Sequence, residues 1–296
     1  MILLKKRAKT KSLERFFKKN KIIIKKIDTK EKNQIFSNIE TEIKEKKFSS
    51  VMSNKRLSVW NLAWNNSIKY KNIYIPNYLS KIDILRICGN YYRYTKKIAT
   101  YHIFQLILED VFKKIKKKEE IKNFNLLEFG AGSGSNLIFL KKKKIINKKL
   151  LAFDWSIRSL KLIKKNAKNN KVLIETHKFN IKNPVLPKLN CSADIVLTFH
   201  AMEQVFTSYK KFLKIINKLK PKYIVNVEPI MENYNIREKH DLLAYKYHLS
   251  RKYLHNYKSY LKSLQDKSKV NIIFDRKYYF GNKYDDSSSV LIWKFK

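Results

Sequence analysis

The sequence predicts an α/β fold in which a mostly parallel sheet is covered by helices on both faces and ends in an antiparallel strand. Three observations carry this. From about residue 124 apolar runs alternate with helical-period stretches five times, which is the order that builds parallel strands with crossover helices. The final two apolar runs follow each other with no helix between them, so they pair antiparallel. Three of the five glycines, Gly130, Gly132 and Gly134, stand together where the first of these runs ends.

FNLLEF (124–129) is the first strand and NLIFLKKKK the helix after it. KLLAFD (149–154) is the second strand; SIRSLKLIKKNAK follows as an amphipathic helix with Ser156 at its N-cap. KVLIET (171–176) and ADIVLTF (193–199) are the third and fourth strands. Phe206, Tyr209, Phe212, Ile216 and Leu219 recur at helical spacing up to Pro221, and YIVNVE (223–228) is the fifth strand. One long helix is expected next, with Leu242, Tyr245, Leu249, Tyr253, Tyr257, Tyr260 and Leu264 on a single stripe. VNIIFD (270–275) and SVLIWKF (289–295) close the sheet. Residues 1–118 lack this alternation and are expected to form a mainly helical extension or lid, against a sheet domain over 119–296. SLERFFKKNKIIIKK and EIKEKKFSSVM are expected as helices, and YHIFQLILEDVFKKI as an amphipathic one. Trp60, Trp64, Tyr74, Tyr78, Tyr91, Tyr92 and Tyr94 in this part suit either a substrate wall or ordinary core.

A chain of 296 residues can bury a large core without staples. Cys88 and Cys191 belong to no CxxC or Cys/His spacing, so neither a disulfide framework nor a zinc site is expected. No apolar run approaches the roughly 18 residues of a membrane span, and a cytoplasmic location is expected. The net charge of +42 invites a nucleic-acid partner. Only nine of the 66 basic residues are arginines, and the lysines are spread along the whole chain; arginine's planar fork is the usual reader of phosphates and bases. Compositional drift explains that pattern better than selection for a polyanion.

Alternate glycines after a strand allow backbone with φ > 0 and let a ligand touch the main chain, at a helix start whose N–H groups point outward. The dinucleotide frame GxGxxG fails here, since its last position is Ser135. The spacing is instead Glu128-x-Gly130-x-Gly132-x-Gly134. It resembles motif I of the class I S-adenosylmethionine-dependent methyltransferases, over roughly residues 120–296. The resemblance implies a Rossmann-like seven-stranded sheet and S-adenosyl-L-methionine as cofactor. It places Glu128, Gly130, Gly132 and Gly134 against the cofactor's methionine and ribose, Asp154 on the ribose hydroxyls and Trp155 on the adenine. Asn180, where the family often has an acid, would take the adenine amino group. The alternative reading of Asp154 is a cap on the following helix.

After the fourth strand, FHAMEQV is similar to the His-x-Leu-Glu-His stretch of many small-molecule members. The resemblance sets Phe199 and His200 near the sulfonium and turns Glu203 and Gln204 toward the substrate. His200, Glu203, Glu228 and His240 are the candidate bases for a hydroxyl acceptor, each also readable as a structural residue. The Asn/Asp-Pro-Pro-aromatic stretch of base-amino methylases is absent. The expectation is therefore O-methylation of a sugar or other small hydroxylated metabolite. An RNA methyltransferase docking through its lysines, and a non-catalytic basic binding protein with a degenerate fold, stand as alternatives. No metal cluster is expected; Asp285 and Asp286 are read as loop residues.

Overall fold

The computed structural model describes residues 15, 16, 18, 19, 23–52, 55–69, 84–94, 100–119, 123–146, 148–286 and 288–296. Tyr74, Tyr78 and residues 12–14, 17 and 20–22 of SLERFFKKNKIIIKK lie outside the described residues. The N-terminal part holds β1 (Ile24–Lys26), α1 (Thr29–Lys44), α2 (Arg56–Lys69), β2 (Ile84–Ile87), β3 (Asn90–Tyr94) and α3 (Thr100–Glu119). The alternating part follows as β4 (Leu126–Phe129), α4 (Ser135–Lys142), β5 (Leu150–Asp154), α5 (Ile157–Asn169), β6 (Glu175–Lys178), β7 (Ile195–Phe199), α6 (Tyr209–Lys218) and β8 (Tyr223–Glu228). Two helices, α7 (Lys239–Arg251) and α8 (Tyr257–Asp266), precede β9 (Val270–Tyr278), β10 (Phe280–Gly281) and β11 (Ser288–Phe295).

The main sheet has seven strands in the order β6-β5-β4-β7-β8-β11-β9. Its first five are parallel, and β11 runs antiparallel between β8 and β9, as expected for strands joined without a crossover. Side chains alternate between two cores. Leu126, Ala152, Leu197 and Val225 face one packed by α3, α4 and α5. Leu127, Leu151, Val196 and Ile224 face the other, packed by α6 and α8. Burial on both faces is why these strands read as unbroken apolar runs. Phe129, Asp154, Phe199 and Glu228 end four parallel strands, so one edge of the sheet collects the candidate residues. Ligands of such sheets bind at that edge.

Three expectations change. The third strand, expected over KVLIET (171–176), is β6 at Glu175–Lys178, and Leu173 before it is exposed. The extension has its helices but also a second, four-stranded antiparallel sheet ordered β1-β3-β2-β10. IKK at 24–26 is therefore strand rather than helix, and EIKEKK ends its helix at Lys44. β2 and β3 join through Cys88-Gly89, both at positive φ (48° and 74°), the geometry of a two-residue hairpin turn. The long stripe after β8 is two helices, because Lys252 turns into the left-handed region (φ 52°, ψ 48°). Tyr253 and Tyr257 are buried whereas Leu249 is exposed.

Candidate active site

The turn after β4 is fastened from below. Gly130 and Ala131 donate to the Phe153 carbonyl at 2.7 and 3.0 Å. Ser159 Oγ bonds the Gly132 carbonyl, and Asn166 Nδ2 donates to the Ser133 carbonyl at 2.9 Å. Gly130, Gly132 and Gly134 all have positive φ (76°, 57° and 73°). At Gly130 a Cβ would collide with Ala201, so the β4 and β7 ends touch there; at Gly132 it would stand 3.0 Å from the Trp64 ring. Close approach and backbone conformation together select glycine.

Asp154 joins this turn to the next helix: Oδ2 accepts from Gly132 N and Oδ1 from Ser156 N, each at 2.9 Å. Each carboxylate oxygen keeps accepting capacity for a further donor. The helix cap is Ser156, whose hydroxyl accepts from Ser159 N at 3.1 Å, so Asp154 does not hold the capping place itself. Burial pushes the Asp154 carboxyl up to about 6, against the pull of its bonds from Ser156 and Gly132. Glu128, fully buried, accepts from Asn136 Nδ2 at 2.7 Å through Oε1. Its Oε2 is buried with no hydrogen-bond partner, and burial pushes it up to about 8. An orphaned acceptor beneath a glycine cradle and an acid with spare lone pairs fit a ligand bearing a diol and a cationic head.

Helix α2 lies over this cradle, packed on α5. Trp64 meets Gly132, and Ser156 Oγ donates to Asn61 Oδ1 at 2.6 Å. Trp155 is half-buried with the Lys182 ammonium 6.0 Å from its ring. Asn180 Oδ1 accepts from Lys182 N at 2.9 Å, an Asx turn that already uses the oxygen expected to meet an adenine.

A second cluster forms where β7 ends. Phe199 is buried, and His200 turns the chain with φ 52°, a conformation L-residues adopt at a cost and which gathers at functional sites. His200 Nδ1 lies 3.2 Å from Glu203 Oε2, and Nε2 lies 3.4 Å from Ser288 Oγ. Its side chain is 22% exposed. Burial opposes its charge, but the Glu203 bond, then Glu228 and Asp285, raise His200 above the ordinary imidazole range. Glu228 is fully engaged: Oε1 accepts from Ala201 N (3.1 Å) and Met202 N (3.0 Å), and Oε2 from Glu203 N (3.2 Å). Burial pushes it up to about 7, against His200. Glu228 thus shapes the turn that presents His200.

His240 falls in a different set. Its ring packs on Gly89 in the β2–β3 turn and stands 3.6 Å from Asp241; burial, then Arg86, lowers its pKa. Around it the sequence reading missed a buried ion network. Arg86 pairs with Asp241 (2.7 Å) and Asp286 (3.0 Å), and Lys277 with the same two acids (2.8 and 3.2 Å). His248 bonds Asp285 at 2.7 Å. Asp285 and Asp286 are consequently buried partners, not solvated loop residues. Among the described residues no group of three or more His, Cys, Asp or Glu is placed to hold a metal ion, and no helix is long and apolar enough to cross a membrane.

Residues 127–222 match the family of the methyltransferase domain. The matched segment runs from β4 through α6. Among solved structures, the chain is similar to an S-adenosylmethionine-dependent methyltransferase from Clostridium acetobutylicum, at 13% identity and TM-score 0.45, over 66% of this chain and 96% of that one. It is likewise similar to magnesium protoporphyrin IX methyltransferase from Synechocystis, solved with bound SAH, at 13% identity and TM-score 0.46, over 65% and 83% of the two chains. A ribosomal protein L11 methylase from Lactobacillus delbrueckii shares 14% identity at TM-score 0.40, over 62% and 76%. No curated protein matches the chain.

Proposed function

We propose that the protein is an S-adenosylmethionine-dependent methyltransferase whose acceptor is a hydroxyl of a sugar or other small metabolite. The observation that carries the cofactor half is the lock between Gly132 N and Asp154 Oδ2 at 2.9 Å. It fixes an acid with spare lone pairs beside a turn of three glycines at positive φ. Glu128, Gly130, Gly132 and Gly134 would hold the methionine and ribose portion, Asp154 the ribose diol, and Trp155 the adenine. Bound there, the cofactor supplies an activated methyl group.

What the chain must then add is alignment, exclusion of water and removal of one proton. Helix α2, seated on the glycine turn, excludes water. His200 is the base. Its Nδ1 faces the Glu203 carboxylate, which can only accept, so Nδ1 carries the hydrogen and Nε2 presents the lone pair. Nε2 points toward Ser288 Oγ on β11. An acceptor hydroxyl taking that serine's place would give its proton to Nε2, leaving its oxygen free to take the activated methyl group that the bound cofactor would supply. Such a base supports a hydroxyl acceptor, since a neutral amine needs no prior loss of a proton. Glu228 and His240 leave the list of proton acceptors for structural reasons: one is spent on three backbone N–H groups, the other belongs to the Arg86 network.

Calorimetric titration of the purified protein with S-adenosylmethionine should show binding, and Asp154→Ala should abolish it. Absence of binding to the native chain would sink the reading. Labelled cofactor incubated with a metabolite extract and, separately, with total RNA decides the acceptor; label found only in RNA would replace the small-metabolite assignment.

A further inference from the structure

We infer that Arg56, on the lid helix α2, is a positioning residue for the base, fixing Gln204 and through it the Glu203 carboxylate that orients His200. The inference rests on His200 being that base. The contacts form one unbroken line from α2 to the imidazole. Arg56 Nε and Nη2 both donate to Gln204 Oε1, at 3.0 and 2.8 Å. Gln204 Nε2 donates to Glu203 Oε1 at 2.8 Å, and Glu203 Oε2 faces His200 Nδ1 at 3.2 Å.

The chemistry of the four groups gives this line a single direction. A guanidinium only donates and a carboxylate only accepts, so the amide between them has one possible orientation, oxygen toward Arg56 and nitrogen toward Glu203. With one Glu203 oxygen held by that amide, the other is aimed at Nδ1, and the hydrogen is kept there. Each bond polarises the next in a buried setting; Arg56 is 8% exposed. Lysine could not substitute fully, since one ammonium cannot present two fixed donors to one oxygen. The other groups facing His200 belong to the sheet and its loops. They are Glu228 on β8, Ser288 on β11 and Asp285 in the β10–β11 loop, with the Phe104 ring of α3 5.4 Å away. None of them engages Nδ1, so the line through Arg56 is the one that selects the tautomer.

The same helix also touches the proposed cofactor cradle. Trp60 stacks on Trp64, with ring centroids 5.8 Å apart, and the Arg56 guanidinium lies 5.2 Å from the Trp60 ring centre. Thus the helix that covers Gly132 through Trp64 is the helix that sets the base through Arg56. A base so wired is complete only when α2 is seated.

Histidine ring 1H–15N correlation spectra across a pH titration test this without any acceptor, the His200 signals being assigned from Glu203→Gln and His200→Gln spectra. Native protein should show His200 as the Nδ1–H tautomer above its titration. Arg56→Met should mix the two tautomers and lower the titration midpoint toward the ordinary imidazole value of about 6.5. Gln204→Met should reproduce this with α2 untouched, covering the case in which Arg56→Met fails to fold. Arg56→Lys should recover part of the shift. Native tautomer and midpoint in both methionine variants would overturn the proposal. Titration with S-adenosylmethionine separates the two claims: a native chain that binds none loses the methyltransferase reading, while the histidine spectra still report on the relay.

Discussion

Asn226 sits in the middle of β8, 1% exposed, and satisfies three partners at once. Its Nδ2 donates to Thr198 Oγ1 at 2.9 Å, and its Oδ1 accepts from Tyr257 OH and Trp293 Nε1, both at 2.8 Å. One amide therefore ties β7, β8, β11 and α8 together within an otherwise apolar interior. Asn226→Ala would leave two buried donors unsatisfied. Each such group costs about 1–3 kcal/mol, and denaturant unfolding should show a loss of about 2–4 kcal/mol with little change in the urea dependence. The residues whose roles were readable in the sequence are those whose geometry is local. Gly130, Gly132 and Gly134 announce a turn because three glycines at alternate positions suit little else, and Ser156 announces its cap from its place before a helical repeat. Glu228 and Asn226 were opaque for the opposite reason: their partners are 25 to 67 positions away, and no spacing encodes that.

At the scale of elements, apolar period predicted the strands in the middle of the main sheet, since strands buried on both faces are continuous apolar runs; at the edge, β6 lies at Glu175–Lys178, past the apolar residues of the expected KVLIET, because a half-exposed edge strand carries no such run. It failed at the α7–α8 break, where Tyr253 and Tyr257 keep the stripe going while the backbone reverses at Lys252. Burial of both tyrosines overrides the local cost of a left-handed lysine. Lys252→Gly should remove that cost, about 0.5–1 kcal/mol, and raise the melting temperature while the α7–α8 packing stays as it is. The small sheet escaped notice because its strands are short and partly exposed, and because one of them, β10, is two residues long. The charge runs told less than the solitary arginines did: Arg56 and Arg86, standing in a lysine-rich chain, each mark a fork that lysine cannot imitate.

For the whole molecule, three carboxyls raised by burial set the pH response: Asp154 to about 6, Glu228 to about 7 and Glu128 to about 8. In the unfolded chain such groups ionise near 4. Between roughly pH 4 and 8 the native state then holds more protons than the unfolded one, and stability falls as pH rises. Thermal unfolding should show the melting temperature declining from pH 5 to pH 8. Glu128→Gln, which keeps an oxygen for Asn136 but has no proton to lose, should flatten the decline above pH 7 and match the native chain at pH 5. The lysine-rich surface adds nothing to this slope, because lysines titrate far above it.

The two sheets meet through β9 and β10, since the chain passes from one straight into the other: Phe280 pairs with Ile87 and Gly281 with Arg86. Arg86 also takes its charge partners, Asp241 and Asp286, from that later stretch. During synthesis, then, β2 and β3 leave the ribosome long before the strand that completes them exists. The hairpin waits with one edge open and a guanidinium without its acids while almost two hundred further residues are added. Closing so long a loop is slow. The small sheet is thus completed only once β10 has been made, although its other three strands precede the whole of the main sheet.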